Sequence, residues 1–261
     1  MTQKIEPRFV ERIWGSHHLE PWFPNRPERT GEVWYPAGRL LIKFLFTTEA
    51  LSVQVHPADD YAARHHDCSG KTEMWHILEA KPGARLAAGF DRPVSCDQVR
   101  SAALDGSIEE LLGWHAARPG DTFFTRAGVV HALGAGLVVC EIQQTSDITY
   151  RLYDYGRGRE LHLDHGLNVA HLAPHTGPES PTELAEGGQR LAACEYFVTE
   201  RWQLAAGVAR RWDDRASTLI VLAGAGTIDG QPYARGEVWQ VSAGAEVQPQ
   251  SGSVLLRTYE P

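Results

Sequence analysis

Residues 51–57 read LSVQVHP, a run in which apolar and polar side chains alternate. Such alternation predicts a β-strand, because successive side chains of a strand point to opposite faces. Ser52, Gln54 and His56 therefore share one face, and the apolar side chains share the other. The polar face either contacts solvent or lines the interior of a β-barrel, where an amide and an imidazole form half of a metal site.

Residues 71–78, KTEMWHIL, predict a second alternating strand, in which Lys71 and Glu73 precede an apolar run. A single glutamate in a strand is usually exposed to solvent. A lysine and a glutamate beside otherwise apolar residues indicate instead a polar interior, with Trp75 on the same face as Glu73.

Residues 120–131, GDTFFTRAGVVH, predict a strand, a tight turn and then His131. Gly128 permits the turn, since glycine adopts backbone conformations that other residues avoid. A histidine in this position is either a buried structural side chain or a further metal ligand.

Gln54, His56, Glu73 and His131 together offer an amide, two imidazoles and a carboxylate, a donor set that suits a divalent metal. So few protein ligands leave coordination positions open for water or substrate, as catalysis requires. The other histidines have no comparable partners in the sequence, and we expect them on the surface or in packing contacts: His17, His18, His65, His66, His76, His115, His162, His165, His171 and His175.

Arg151 lies in residues 141–157, EIQQTSDITYRLYDYGR, between the apolar side chains of Tyr150 and Leu152. An arginine in such a strand usually needs a buried anionic partner. That partner is either an internal aspartate or glutamate, or a bound phosphate, whose oxygens match the guanidinium fork.

Short strands separated by turns account for most of the remaining sequence. The predicted strands are residues 40–46, 51–56, 71–78, 121–125, 137–144, 148–153, 195–204, 217–222, 236–241 and 254–259. Two short helices are predicted within residues 94–115, where Ser95 with Gln98 and Ser107 with Glu110 have the spacing of capping boxes. A third is predicted over residues 164–171, with Asp164 as its N-cap.

The distribution of these elements predicts a mainly β protein with two units. Residues 1–175 form a larger metal-binding unit with a helical insertion around residues 95–115. Residues 176–190, rich in Pro, Gly, Ser and Glu, form a linker. Residues 191–261 form a smaller β-unit of the sandwich or barrel type. Because this unit has no histidine after residue 204, we expect no metal site there.

Composition limits the classes of partner. Hydrophobic residues make up 43% of the chain and charged residues 22%, as in globular proteins. The net charge of −8 provides no general attraction for nucleic acid or an anionic membrane, so we expect neither as a partner. Residues 1–15 contain no apolar run of signal-peptide length, and we expect a cytoplasmic protein.

Four segments, QVHP, GKTE, AGVVHALGAG and EIQQTSDITYRLYDYGR, resemble the signature segments of type I mannose-6-phosphate isomerases in their shorter bacterial form. They occur in the family's order and near its spacing, across residues 12–172. Residues 120–131 also resemble the second cupin motif, with Arg126 where that motif has a proline. The resemblance implies two cupin-type β-barrels of the jelly-roll kind and a small helical insertion.

The resemblance also implies roles for individual residues. One Zn²⁺ per chain would be held by Gln54, His56, Glu73 and His131. Arg151 and Glu141 would be catalytic, and Lys71, Ser52 and Asp147 would contact the substrate. The implied reaction interconverts mannose 6-phosphate and fructose 6-phosphate through an enediolate. Glu141, Lys71, Asp147 and a metal-bound water are all candidates for the general base.

Two departures from the family bear on substrate and assembly. Only residues 35–39 join the GE-x-W segment (residues 31–34) to the LLIKFL strand, so we expect a loop or strand near the pocket to be missing. The second barrel is compact, and we expect a monomer. The alternative functions are a non-catalytic sugar-phosphate sensor, an isomerase of another sugar phosphate, and an Fe²⁺-dependent cupin oxygenase. Oxygenases of this fold more often present His-x-His than Gln-x-His.

Overall fold

The computed structural model describes residues 2–261 and arranges them in four antiparallel β-sheets. The strands before residue 160 are β1 (Gln3–Ile5), β2 (Arg8–Ser16), β3 (Thr30–Ala37), β4 (Leu40–Phe46), β5 (Val53–Val55), β6 (Glu73–Ala80), β7 (Arg85–Phe90), β8 (Leu112–Ala116), β9 (Thr122–Thr125), β10 (His131–Leu133), β11 (Leu137–Gln144) and β12 (Tyr150–Tyr153). The later strands are β13 (Thr182–Glu183), β14 (Gly188–Ala193), β15 (Val198–Leu204), β16 (Arg210–Arg211), β17 (Ser217–Ala223), β18 (Gly226–Ile228), β19 (Gln231–Tyr233), β20 (Val238–Val241), β21 (Glu246–Pro249) and β22 (Ser253–Tyr259). The prediction of a mainly β fold is confirmed.

The described chain also contains the helices α1 (Asp59–His66), α2 (Cys96–Asp105) and α3 (Leu163–Val169), with short 3-10 helices at Ser107–Glu110 and Ala185–Gly187. Helix α1 was not predicted. Its first turn is acidic and its last turn basic, which complements the helix dipole. No helix within residues 2–261 is long and apolar enough to cross a membrane.

The sheets lie in layers. A six-stranded sheet, β2-β3-β4-β11-β6-β9, faces a five-stranded sheet, β12-β5-β10-β7-β8, across a shared apolar core. Helices α2 and α3 cover the outer side of the five-stranded sheet. The outer side of the six-stranded sheet packs against a seven-stranded sheet, β1-β20-β17-β22-β15-β14-β13. The last layer is the four-stranded sheet β16-β21-β18-β19.

Strand β4 shows how these layers explain the sequence. All of its residues are buried, because the strand has a core on each side. Ile42 and Phe44 pack toward the seven-stranded sheet, whereas Leu45 belongs to the core between the first two sheets. The continuous apolar run is therefore typical of a strand covered on both faces. Lys43 alternates with these residues and shares its face with Leu45.

Strands β4 and β11 begin and end where the sequence predicts, but several other elements differ. Strand β5 covers only Val53–Val55, and Leu51 packs into the core between the first two sheets rather than beside Val53. Strand β6 begins at Glu73, so Lys71 precedes the strand. Within the predicted helical residues 95–115, the helices end at Glu110, and Leu112–Ala116 forms β8, which pairs with β7.

The two predicted capping boxes have different outcomes. Ser95 and Gln98 form the predicted box at the start of α2. The box at Ser107 is wrong, because the Ser107 hydroxyl donates to Asp105 Oδ1 and the 3-10 helix is capped by Gly106. The N-cap prediction at Asp164 is also wrong.

Helix α3 begins after His162. The backbone N–H of His162 donates to the Arg151 carbonyl, 2.7 Å away, and its Nδ1 accepts from the Arg151 N–H. This pairing fixes where the chain leaves β12 and turns into α3. Asp164 lies in the first turn and forms an ion pair with Arg100 of α2 instead.

The predicted division at residues 176–190 does not separate the sheets cleanly, because a strand from the start of the chain joins a sheet of the second predicted unit. Strand β1 pairs with β20 of the seven-stranded sheet, although it lies at the start of the predicted first unit. Within residues 176–190, β13 pairs with the start of β14 at the edge of the same sheet. The boundary itself stays a prediction.

The short connection between β3 and β4 is a two-residue hairpin turn of Gly38 and Arg39. Gly38 has φ +69°, a conformation that favours glycine and fits such turns. Both residues line cavities against the second unit. Neither residue lines the cavity of the candidate site. The expected loss of a loop or strand near that pocket stays a prediction.

Candidate metal centre and substrate pocket

His56, Glu73 and His131 converge inside the first unit. One potential ligand atom of each lies within 4.8 Å of the others, and all three side chains are buried. They come from three places: His56 follows β5, Glu73 begins β6 and His131 begins β10. Strands β5 and β10 are paired neighbours, while β6 belongs to the facing sheet, so the cluster bridges the two sheets.

Backbone carbonyls orient both imidazoles. His56 Nδ1 lies 2.8 Å from the Ile148 carbonyl oxygen, and His131 Nδ1 lies 2.9 Å from that of Val129. Because a carbonyl only accepts, each Nδ1 must carry the proton and donate it. The lone pair of each ring is therefore on Nε2, and these atoms lie 3.7 Å and 3.4 Å from the two Glu73 oxygens.

The protonation of the two imidazoles suits metal binding. Burial lowers the pKa of His131 to about 4. Burial and the nearby charge of Lys71 hold the pKa of His56 well below its ordinary value. Both rings are therefore neutral near pH 7, the form that ligates metals. Burial and the charge of Glu141 raise the pKa of Glu73.

Gln54 stands beside the cluster on β5. Its Cα is paired with that of His131 on one side and that of Arg151 on the other. Its partly exposed side chain lines a cavity, and the Ser52 hydroxyl lies 3.5 Å from its amide oxygen. Ser52, Gln54 and His56 thus follow the alternation of the sequence, while Val53 and Val55 pack under the helices.

Lys71 is the cation closest to this cluster. Its Nζ lies 2.9 Å from Glu73 Oε2 and 3.2 Å from His56 Nε2, and its side chain is buried. Burial alone would lower its pKa, but the Glu73 and Glu141 carboxylates raise it, so the amine is protonated. Because the Lys71 ammonium donates a hydrogen bond to His56 Nε2, that nitrogen carries no proton of its own.

The donor set fits a divalent metal. His131 Nε2 is buried and has no hydrogen-bond partner within residues 2–261. Such an atom loses its hydration without compensation unless something binds it. In a typical metal site, imidazoles and a carboxylate bind the ion, and backbone carbonyls orient the imidazoles through their other nitrogen. This cluster has both kinds of group.

A second buried carboxylate lies one strand away. Glu141 on β11 accepts from Trp75 Nε1 at 2.9 Å, and Lys43 Nζ lies 3.4 Å from its other oxygen. Lys43 Nζ also lies 3.0 Å from the half-exposed Asp147 carboxylate. Burial raises the pKa of Glu141, but the charges of Lys71 and Lys43 outweigh it and lower the value. Glu141 is therefore ionised near pH 7.

A cavity of about 390 Å³ joins these groups. Six of the predicted site residues line it: Ser52, Gln54, Lys71, Glu141, Asp147 and Arg151. The other three, His56, Glu73 and His131, form the buried cluster behind Gln54 and Lys71. All nine predicted residues therefore belong to one region of the molecule.

The cavity also contains cations that the sequence reasoning missed. Arg12, Lys43 and Arg159 line it as well. Lys43 could have been found, because it is a charge in the middle of an all-apolar strand, and its ammonium lies 4.6 Å from the centre of the Trp34 ring. Arg12 pairs with Glu32 at 3.0 Å, in the GE-x-W segment. Neither arginine has a local pattern that distinguishes it from a surface residue.

Arg151 differs from the other cavity cations in its partners. Its Nη1 donates to the Glu160 carbonyl at 2.8 Å, and its buried Nε has no partner within residues 2–261. Arg159, by contrast, donates through Nε and Nη2 to the buried Asp154 carboxylate. Of the two alternatives for Arg151, an internal carboxylate is not seen among the ion pairs of the described residues.

His162 was expected on the surface or in packing contacts, but it also hydrogen-bonds to the backbone of Arg151. Its Nδ1 accepts from the Arg151 backbone N–H at 3.1 Å. The imidazole therefore supports the backbone of the residue that points into the cavity. Burial and the charge of Arg151 lower the pKa of His162, which keeps Nδ1 available as an acceptor.

Several proteins are similar to this chain in sequence and in fold. Mannose-6-phosphate isomerase ManA of Bacillus subtilis is 31% identical over 89% of this chain and 90% of its own length. This chain belongs to the mannose-6-phosphate isomerase family. The mannose-6-phosphate isomerase of Streptococcus mutans is 33% identical over 72% of this chain and 62% of its own length. The predicted family and enzyme class are confirmed.

Solved structures of the mannose-6-phosphate isomerase family agree. The crystal structure of the Bacillus subtilis enzyme superposes with a TM-score of 0.87 at 26% identity, covering 98% of both chains. A putative mannosephosphate isomerase from Archaeoglobus fulgidus shares the fold, with a TM-score of 0.82 at 18% identity, over 99% of this chain and 97% of its own. No family sequence model matches the chain.

Proposed function

We propose that this chain is a zinc-dependent isomerase that interconverts mannose 6-phosphate and fructose 6-phosphate. The relatives named for this reaction support the substrate. The observation that carries the proposal is the orientation of His56 and His131, whose bare Nε2 atoms face Glu73 at one end of a cationic cavity.

His56, Glu73 and His131 would hold the metal, and Gln54 would complete the set with its amide oxygen. The bound ion would supply Lewis acidity to the carbonyl and hydroxyl oxygens of the open-chain sugar. Two imidazoles, a carboxylate and an amide form a mixed nitrogen and oxygen set that suits zinc. The Ile148 and Val129 carbonyls keep both rings in the ligating tautomer.

Isomerisation moves a proton between C1 and C2 of the sugar through an enediolate. Glu141 is the carboxylate that we propose for this transfer, because it is ionised, lines the cavity and lies on β11 beside the strand of Glu73. Lys71 is protonated and therefore suits charge stabilisation rather than proton abstraction. Asp147 is ionised too, but it is half-exposed and paired with Lys43.

Arg151 and Arg159 would each bind a different negatively charged part of the substrate. Arg151 is paired in register with Gln54, which places it next to the proposed ligands, so we assign it to the reacting oxygens. Arg159 comes from the segment beyond β12 and is held by Asp154. We assign it to the phosphate, because a guanidinium fixed by a carboxylate keeps further N–H groups for an anion.

The experiment that tests the proposal combines metal analysis with a coupled assay for fructose 6-phosphate. Purified protein should contain one zinc per chain. Dialysis against a strong chelator should abolish turnover of mannose 6-phosphate, and added zinc should restore it. Full activity in verified metal-free protein would overturn the proposal.

Two other results would replace it. Calorimetric binding of mannose 6-phosphate without conversion would identify a sugar-phosphate sensor. Bound iron, with turnover that depends on oxygen, would identify an oxygenase. Size-exclusion chromatography of the same sample tests the expected monomer.

A further inference from the structure

Residues 145–149 carry the chain from β11 of the six-stranded sheet to β12 of the five-stranded sheet. Two groups of this segment reach the candidate site. The Ile148 carbonyl accepts from His56 Nδ1 at 2.8 Å, and the Asp147 carboxylate lies 3.0 Å from Lys43 Nζ. The orientation of His56 therefore depends on where residues 145–149 are held.

The first anchor of this segment is the hairpin turn between β3 and β4. Thr145 N–H donates to the Arg39 carbonyl at 2.9 Å, and the Thr145 hydroxyl donates to the Gly38 carbonyl at 2.9 Å. These contacts fix the start of the segment, whereas His56 is contacted near its end.

Gln143, the last residue but one of β11, supplies a second anchor. Its Nε2 donates to the Gln144 carbonyl at 2.9 Å and to the Ser146 carbonyl. Ser146 N–H also donates to the Gln144 carbonyl, at 2.7 Å, so the side-chain amide closes a tight turn. With the amide reversed, its oxygen would face two carbonyl oxygens, which cannot donate. The amide nitrogen is therefore the atom that faces the turn.

The position of Gln143 is not one at which packing alone would favour an amide. The side chain is fully buried, and its Oε1 has no hydrogen-bond partner within residues 2–261. A buried amide oxygen without a partner is destabilising. Gln143 shares its strand face with Glu141, which lines the cavity, and its Cα is paired with that of Glu73. A locally unfavourable residue beside a site is typical of residues that serve the site.

We propose that Gln143 is a positioning residue, whose amide holds residues 144–148 so that the Ile148 carbonyl meets His56 Nδ1. This inference rests on the proposed metal-dependent function. Gln143 is neither a proposed ligand nor a residue that lines the cavity, so it acts through the backbone. By fixing the carbonyl that orients His56, it keeps the bare Nε2 of that ring directed toward Glu73.

Removal of the Gln143 amide loosens the turn without releasing the whole segment. The Ser146 carbonyl loses a donor, while Thr145 stays bound to the hairpin turn. The loss of one such hydrogen bond shifts a local opening equilibrium by about a factor of ten. Ile148 then spends more time away from His56, and the ring loses its fixed orientation. Groups that orient a metal ligand typically change metal affinity by about 10- to 100-fold, and we expect the lower figure for this more distant residue.

The test compares Gln143→Met with the wild-type protein, both full-length and as purified. NMR of protein with isotope-labelled histidine follows the Nδ1 proton of His56 and its exchange with water. This exchange should become about tenfold faster in the variant. The Nδ1 proton of His131, held by the Val129 carbonyl, is the internal control and should keep its wild-type rate. The zinc dissociation constant, from competition with a chelator, should rise about tenfold.

Two further variants separate positioning from general stability. Thr47→Val removes another buried side-chain donor of the first unit, which contacts the Gly134 carbonyl at 2.8 Å, and should leave both histidine signals unchanged. Gln143→Asn keeps an amide on a side chain that is shorter by a methylene group. It should also accelerate exchange at His56 alone, and it provides the test if Gln143→Met folds poorly.

Wild-type exchange at His56 in both Gln143 variants would overturn the inference. Equal acceleration at His56 and His131, or the same acceleration in Thr47→Val, would overturn it too. The NMR measurement needs no substrate. A wild-type protein without isomerase activity would therefore refute the proposed function and leave this test intact.

Discussion

The ammonium of Lys71 lies 2.9 Å from Oε2 of Glu73, and both side chains are buried. Removing one partner of a buried ion pair leaves an uncompensated charge, which is strongly destabilising. The same carboxylate is the anionic member of the proposed metal ligands. Lys71 therefore neutralises Glu73 within the fold and stands next to whatever binds His56 and His131.

Replacing Glu73 by glutamine should abolish metal binding. The amide keeps the size of the side chain but loses the anionic ligand, and Lys71 stays in place as an uncompensated cation. We expect zinc content to fall from one per chain to near zero, measured on protein whose fold is verified by circular dichroism. Glu200→Gln is the control, because Glu200 is a buried carboxylate of the second unit paired with Arg257. Stoichiometric zinc in Glu73→Gln would remove this residue from the ligand set.

Arg151→Ala should lower kcat/KM by about 100- to 1,000-fold, the usual effect of deleting a group that stabilises charge in the transition state. Metal content should stay the same, because Arg151 adjoins Gln54 but is not a ligand. Arg118→Ala, at an exposed position, controls for the loss of a positive charge. If Arg151→Ala instead loses metal and folds poorly, its role is to support the fold.

Glu141→Gln should lower turnover by about 100- to 10,000-fold, as expected for removal of a general base. Asp147→Asn should stay within about tenfold of wild type, since this half-exposed carboxylate only shares Lys43 with Glu141. Glu200→Gln serves again as control, because Glu200 also accepts from a tryptophan Nε1, at 2.9 Å. The reverse order of the two site variants would transfer the role of base to Asp147.

The strands that the sequence predicted best are those with a core on both sides. Strand β4 is buried along its whole length and strand β11 at every position except Val138, and both strands have the predicted limits. Helix and strand ends were less predictable where a distant partner decides them. Helix α3 begins directly after His162, which pairs with Arg151. Strand β6 begins directly after Thr72, whose N–H donates to Gln144. Such contacts leave no local pattern in the sequence.

The site residues also differ in whether the local sequence predicts them. Ser52, Gln54 and His56 could be predicted from alternation alone, because β5 carries Gln54 and the residues on either side of the strand continue its alternation. Lys43 interrupts an apolar strand, but the sequence of that strand does not show which of its two buried faces borders the cavity. Arg159 could not be found locally: its place in the cavity depends on Asp154, which is buried.

Arg159→Lys should weaken recognition of the phosphate. Lysine keeps the charge beside Asp154 but loses the planar fork. We expect KM for mannose 6-phosphate to rise about tenfold with kcat nearly unchanged, whereas kcat/KM for unphosphorylated mannose should stay at the wild-type value. Arg157→Lys is the matched control, because Arg157 also pairs with Asp154, at 3.4 Å, but does not line the cavity. Equal effects on both sugars would assign Arg159 to the fold.

His76 should contribute to loss of stability in acid. Burial, with a smaller effect of Arg201, lowers the pKa of His76 from 6.5 to about 4. Between pH 6.5 and about 4 the unfolded chain therefore binds this proton and the folded chain does not, so the free energy of unfolding falls as the pH falls. The pKa difference corresponds to roughly 3 kcal/mol for a fully buried group. His76→Gln should flatten the pH dependence of urea unfolding in this window, measured on metal-free protein. An unchanged slope would show that His76 is protonated in the folded protein, where it contacts the Thr122 hydroxyl at 2.9 Å.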